Sequence, residues 1–345
     1  MIADNSAAVV RGPGMVAVEP WPVRPPLSDE VVVRIGFVGF CGTDAALIAG
    51  TSPFVLQGKQ RHPFVVGHEW SGVIEVLGDG VKGRYVGERV VGHPFIPCRT
   101  CDRCRAGFIN QCRSRSELGV WGTVPGAAQN FITIPAANLT PVPDSVSLAD
   151  AALCEPSVTS LECIAVTGAT DSDRVAVIGT GTLAQVAVQV LVGMGARVDA
   201  FGSSEHGLSQ MAALGVAARP LADAPADAYD VLLDFVGDAA ATHALMSMAD
   251  AGARIALAGV SAEAADGFSL APVVLKNMSV SGVLHGVHQY ERALRLMAAG
   301  VIRPQELVDS RFPFLDFASA ADALLTGRRV KPKILVEVDP MASGR

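Results

Sequence analysis

The chain has 345 residues, a formal net charge of −7, 50% hydrophobic and 18% charged residues, enough length for two domains with full cores. It has no basic block for holding nucleic acid, and its most apolar stretch, 175–201, is interrupted by glycines and by Gln185 and Gln189, which excludes a membrane span. Residues 1–5 show no charged segment leading into an apolar run, so no export signal is read there; the seven cysteines of a chain read as cytoplasmic then point to metal ligands rather than disulfides.

The first third is punctuated by proline and glycine between short β-branched runs. Strands are expected over 7–10, 15–18, 30–38, 65–66, 71–77 and 89–91, and later over 129–134 and 138–142, as in a small β-barrel-like domain. Within it lie Cys41-Gly42-Thr43-Asp44 and Gly67-His68-Glu69. Cys41 and His68 offer a thiolate and an imidazole, two of the three ligands a catalytic zinc takes while leaving one position open. Thr43 places a hydroxyl where it can pass a proton, and Asp44 is a candidate partner for the His68 ring. Taken singly, the two would read as a buried thiol and an ordinary core histidine.

Cys98, Cys101, Cys104 and Cys112, separated by two, two and seven residues, form the strongest local signal. Four neighbouring thiolates repel one another unless a cation holds them, and a closed Cys₄ set suits a structural zinc. An iron–sulfur cluster or a disulfide pair would also use these residues. A short helix over 147–153 leads to Cys154-Glu155-Pro156, where Glu155 is read as the third ligand of the Cys41/His68 metal and Cys154 as its alternative. A helix over 157–167 follows.

From residue 174 the pattern changes to strand and helix in alternation. Residues 174–178 form a continuous apolar strand, and Gly179-Thr180-Gly181-Thr182-Leu183-Ala184 opens a helix, the dinucleotide-binding fingerprint in strand–turn–helix context. Its glycines admit a pyrophosphate to the helix N-terminus. The next strand, 197–201, ends at Gly202-Ser203-Ser204 with no acid at its tip, which favours NADP over NAD; Glu205 is the rival feature, and Asp199 lies too far back along the strand. Strands at 230–235, 254–258 and 279–284, the last an edge suited to a second subunit, are followed by amphipathic helices at 291–299 and 317–325. A final strand at 333–338 is expected to return to the first domain.

Together these motifs resemble the zinc-dependent medium-chain dehydrogenase/reductase family, in its polyol and threonine dehydrogenase-like branch. The resemblance runs through Cys41-Gly42-Thr43-Asp44, Gly67-His68-Glu69, Val86-Gly87-Glu88-Arg89-Val90, the four-cysteine loop, Glu155-Pro156 and the Gly179 turn. It implies an α/β protein: a GroES-like β-barrel catalytic domain (1–156 and 291–345) and a doubly wound, parallel-sheet Rossmann domain (157–290). It also implies two zincs per subunit, a catalytic one on Cys41, His68 and Glu155 and a structural one on the four cysteines. Glu69 would stand beside the catalytic metal, Thr43 would bond the reacting hydroxyl, and the subunit would join a homodimer or homotetramer. Two places depart from the family pattern. Ala46 stands where a proton-relaying histidine is common, and Gly126-Ala127-Ala128-Gln129 replaces an aromatic–Ala–Glu segment.

The expected reaction is interconversion of a small-molecule secondary alcohol and its ketone by hydride transfer with NADP(H) or NAD(H). A reductase of conjugated alkenes or imines on the same fold is the first alternative, motivated by Ala46. A non-catalytic sensor of zinc or nucleotide is the second. Trp70, Phe54, Phe95 and Trp121 are candidate pocket walls that would serve equally as core.

Overall fold

The computed structural model describes residues 4–260, 267, 269–327 and 329–341, so the start and end of the terminal segments read above lie outside the described residues. The chain forms two compact units. One holds the stretch up to Glu155 with Tyr290–Ala298 and the stretch from Pro304; the other holds Pro156–Gln289 and Ala299–Arg303.

In the first unit, β1 (Ser6–Gly12) pairs with β2 (Met15–Pro20) and β4 (Phe64–Val65). The long β3 (Glu30–Phe40) is buried at every position except Arg34, because it is covered on both edges and both faces. Its partners are β5 (Glu69–Leu77), β9 (Phe131–Pro135) and β18 (Lys333–Glu337), all antiparallel. β6 (Arg89–Gly92) and β10 (Leu139–Pro141) extend the sheet at one end and β17 (Val308–Pro313) at the other, while β7 (Phe95–Ile96) and β8 (Ser116–Glu117) form a separate ribbon. The last strand therefore returns to the first unit, as its position suggested. Two helices of this unit bury the apolar stripes expected of them: Tyr290–Ala298 buries Tyr290, Ala293, Leu294 and Met297, and Phe317–Thr326 packs Phe317, Ala320, Ala321 and Leu324 into the barrel core. Trp70 and Phe95 are 1% exposed, and Trp70 belongs to this core rather than to a wall.

In the second unit, β11 (Arg174–Ile178), β12 (Arg197–Gly202), β13 (Ala217–Pro220), β14 (Tyr229–Asp234), β15 (Ala249–Leu257) and β16 (Ser279–Gly282) form one sheet in the order β13-β12-β11-β14-β15-β16. Every neighbouring pair is parallel. The order reverses at β11, the switch point at which doubly wound sheets bind dinucleotides.

Several boundaries move. The expected 147–153 helix is confined to Leu148–Ala151, and the helix expected from 157 begins at Cys154, with Pro156 tolerated in a first turn whose amides lack partners. The helix Gly42–Ala49 and the strands β13 and β17 were not anticipated: Ala217-Ala218-Arg219-Pro220 and the polar run in β17 carry no β-branched alternation, and parallel pairing with one neighbouring strand at a sheet edge, where most of their residues stay exposed or half-buried, decides them instead.

Candidate functional site

Cys41 directly follows β3 and stands at the N-cap of the helix Gly42–Ala49. The cap brings in Asp44, whose Oδ2 accepts from Cys41 N–H at 3.0 Å. The other oxygen of Asp44 lies 3.3 Å from Nδ1 of His68, and Nε2 on the far side of that ring lies 3.7 Å from Cys41 Sγ. The ring is thus held between a carboxylate behind and a thiol in front, the arrangement that points one nitrogen at a metal and keeps the other paired. Burial works against the Asp44 carboxylate, yet His68 and the bond from Cys41 N–H hold it below its ordinary range. Burial likewise opposes charge on His68, and Asp44 and Cys41 outweigh it to keep the ring well above its usual pKa. Burial, then Asp44 and Glu69, push the Cys41 thiol up. Acids, a thiol and an imidazole thus share one mostly buried site, where a divalent cation would favour the thiolate and the neutral ring that ligation requires.

His68 belongs to two clusters of ligating atoms, each within 4.8 Å: Cys41, Asp44 and His68, and His68, Glu69 and Glu155. Glu155 reaches the cluster from the first turn of the helix Cys154–Thr167. The neighbouring Cys154 instead directs its thiol at the Tyr290 carbonyl oxygen, 3.7 Å away, and joins no such cluster among the described residues. Thr43 occupies the exposed first turn beside Cys41, and Ala46 follows on the same helix.

Lys333 is the residue that sequence reasoning missed. It is fully buried and donates to both carboxylate oxygens of Glu69. The strands explain the meeting: β18, β3 and β5 are adjacent, with Ile334 opposite Phe40 and Gly39 opposite Glu69. A Cβ at Gly39 would stand 2.6 Å from Glu69 Oε2, so only glycine leaves room for the carboxylate. A lone lysine in an apolar strand near the end of the chain was the available signal.

The second cluster is Cys98, Cys101, Cys104 and Cys112. Their Sγ atoms lie 3.9 Å apart for Cys98 and Cys104, 3.5 Å for Cys101 and Cys104, and 4.0 Å for Cys101 and Cys112. Disulfides require about 2.05 Å, so none is formed and all seven cysteines are free. A single tetrahedral ion with metal–sulfur bonds of about 2.3 Å sets thiolates about 3.8 Å apart, which these residues match. The N–H and hydroxyl of Thr100 and the N–H of Cys101 bring Cys98 down to about 6, toward the thiolate a metal needs. Cys98→Ser is expected to release one zinc equivalent and lower Tm by about 5–15 °C, measured by elemental analysis and calorimetry.

In the second unit, Gly179 has φ +113°, a conformation that strains any side chain, and its N–H donates to Phe201 O. The turn ends at Gly181, which caps the helix Thr182–Gly193 and faces open space where a Cβ would stand. The first amides of that helix have no intrahelical acceptors and can hold a pyrophosphate. Thr180 lies under the tip of β12: a Cβ at Gly202 would meet its Cγ2 at 2.7 Å. Ser204 caps the helix Glu205–Ala213 by accepting from Gly207 N–H, while Asp199 is occupied by the Tyr229 hydroxyl at 2.6 Å. Arg219, on β13 opposite Phe201, makes no ion pair or side-chain hydrogen bond among the described residues.

Residues 27–144 match the alcohol dehydrogenase GroES-like domain family and residues 182–299 the zinc-binding dehydrogenase family. The chain is 28% identical over 323 residues to the 2-dehydro-3-deoxy-L-galactonate 5-dehydrogenase of Pseudoalteromonas atlantica, covering 90% of this chain and 92% of that protein. It is 28% identical over 356 residues to a probable D-xylulose reductase A of Aspergillus fumigatus, covering 96% and 97%. The alcohol dehydrogenase TADH from Thermus sp. ATN1 superposes with a TM-score of 0.88 at 26% identity, over 97% of this chain and 100% of that one. With both halves matched in order and the paired β-barrel and parallel-sheet architecture present, the chain belongs to the zinc-dependent medium-chain dehydrogenases, in their polyol dehydrogenase-like branch.

Proposed function

We propose that the protein interconverts a secondary alcohol of the polyol class and its ketone, with zinc on Cys41, His68 and Glu155, a second zinc on the four cysteines, and NADP(H) as the preferred cofactor. The observation that carries the reading is His68, shared by two ligand clusters and backed by Asp44. Zinc, when bound, supplies Lewis acidity toward the alcohol oxygen, and the nicotinamide supplies the hydride acceptor. The chain's part is to hold that geometry. Asp44 orients His68, Lys333 fixes Glu69, and Thr43 takes the hydroxyl proton. With Ala46 offering no relay, the proton leaves Thr43 toward water, consistent with that residue's exposure.

The NADP preference rests on the tip of β12, where Gly202-Ser203-Ser204 presents no acid, Thr180 fills the place of one, and Arg219 stands on the next strand without an ion pair among the described residues. Gly202→Asp alone is expected to leave an enzyme poor with both cofactors. Thr180→Gly with Gly202→Asp should move the NADP:NAD ratio of kcat/KM about 10- to 100-fold toward NAD. Equal use of both cofactors by the unaltered enzyme refutes the assignment.

The exposed edge strand β16, with Val280 42% exposed and Leu284 beyond it 56% exposed, suits a homodimeric or homotetrameric contact. Among the described residues no helix is long and apolar enough to cross a membrane, and a cytoplasmic location is inferred from the free cysteines.

The deciding experiment is zinc per subunit, followed by alcohols, ketones and enones with either cofactor. Two zincs with alcohol turnover support the reading. One zinc, unrestored by added metal, with activity on enones alone would replace it by the conjugated-alkene reductase.

A further inference from the structure

Beside the metal cluster the first unit carries a wall that the reaction as described does not use. Trp121 stacks on Phe54, with centroids 6.0 Å apart and planes at 15°. Lys59 Nζ lies 4.9 Å from the Trp121 ring centroid, and the Arg115 guanidinium carbon lies 4.9 Å from the same centroid and 5.7 Å from that of Phe95. Arg115 reaches one internal acceptor, the Cys112 carbonyl oxygen at 3.4 Å, and its Nε is buried with no hydrogen-bond partner. Neither cation has an ion pair among the described residues.

A half-buried guanidinium with an unsatisfied donor costs desolvation that aromatic contacts offset only in part. An incoming anion would give the guanidinium's terminal N–H groups a partner, and the planar fork suits a carboxylate or a phosphate. The strand end that carries the wall abuts the metal cluster: Glu117 pairs with Phe95 and bridges to Trp121, and a Cβ at Gly119 between them would stand 2.6 Å from the carbonyl oxygen of Gly67, the residue before His68.

We propose that Arg115 and Lys59, each set against the Trp121 ring, receive an anionic group of the substrate, so that the substrate is an acidic or phosphorylated sugar alcohol rather than a neutral polyol. This rests on the alcohol dehydrogenase reading above and names the substrate class for the same site.

The test is calorimetric titration of the zinc-loaded enzyme with D-sorbitol, D-gluconate and D-sorbitol 6-phosphate, at low ionic strength and at about 0.15 M salt. One of the two anions should bind at least about tenfold more tightly than sorbitol, and which one does so separates carboxylate from phosphate. Arg115→Gln should remove most of that preference, and Lys59→Gln, being more exposed, a smaller share. Equal binding of all three probes overturns the proposal, as does a preference that survives both substitutions. A zinc equivalent lost from Arg115→Gln with the anion preference intact would assign Arg115 to the cysteine site instead, and also overturns it. An anion preference without turnover of any alcohol supports this wall and counts against the reaction.

Discussion

Cys41→Ala is expected to leave a folded protein that keeps the zinc of the cysteine loop, loses the second metal equivalent and turns over alcohols at least about 10³-fold more slowly. That is the scale of losing a principal stabiliser of charge in the transition state. The substitution removes the thiolate facing His68 Nε2 and leaves the Asp44–His68 pair behind it in place. The fold should survive because Cys41 contributes a helix cap through its backbone N–H, which alanine retains, while Asp44 continues to accept from it. Steady-state kinetics with elemental analysis on the same sample checks the result. Full activity, or loss of both zincs together, is incompatible with a catalytic metal at this position.

The second large effect is on stability. Lys333→Met is expected to destabilise the first unit by about 3–5 kcal/mol, because it strands the Glu69 carboxylate without its counter-charge in a site closed to water. In a domain of this size that corresponds to a fall in Tm of about 10 °C by calorimetry. The double substitution Lys333→Met with Glu69→Gln should recover much of the loss, since no buried charge then remains unpaired. A Tm within about 2 °C of the unaltered protein would show that the pair contributes little and that Glu69 finds another partner.

A freed Glu69 also has a functional consequence. The carboxylate sits beside Glu155 and His68 in one ligand cluster, and Lys333 occupies both its oxygens. Without the ammonium, Glu69 would be free to join His68 and Glu155 as a ligand of a metal held there. Cobalt-substituted Lys333→Met should therefore show an altered visible spectrum even where stability is rescued by added salt or ligand.

Much of this was legible in the residues alone, and for a physical reason. Four cysteines at short spacing suit one shared cation, a glycine turn between a buried strand and an amphipathic helix exposes amide groups, and an absent acid at the end of the next strand is a local fact. Each signal is short-range, so the linear order contains it. Glu155 was legible only in company with Cys41 and His68, since a single acid has no pattern of its own. Choosing it over Cys154 took the helix starting at Cys154, which turns the thiol toward the Tyr290 carbonyl and leaves the carboxylate with His68. Lys333, Arg219 and the Arg115–Trp121–Lys59 wall were decided by tertiary structure. Lys333 meets Glu69 because antiparallel register across three strands joins positions 264 residues apart. Arg219 stands opposite Phe201, one residue before the tip of β12, because a strand without β propensity is held by its parallel neighbour. Contacts of this kind depend on which strands lie side by side, and that is settled by burial of the whole sheet rather than by any local run of residues.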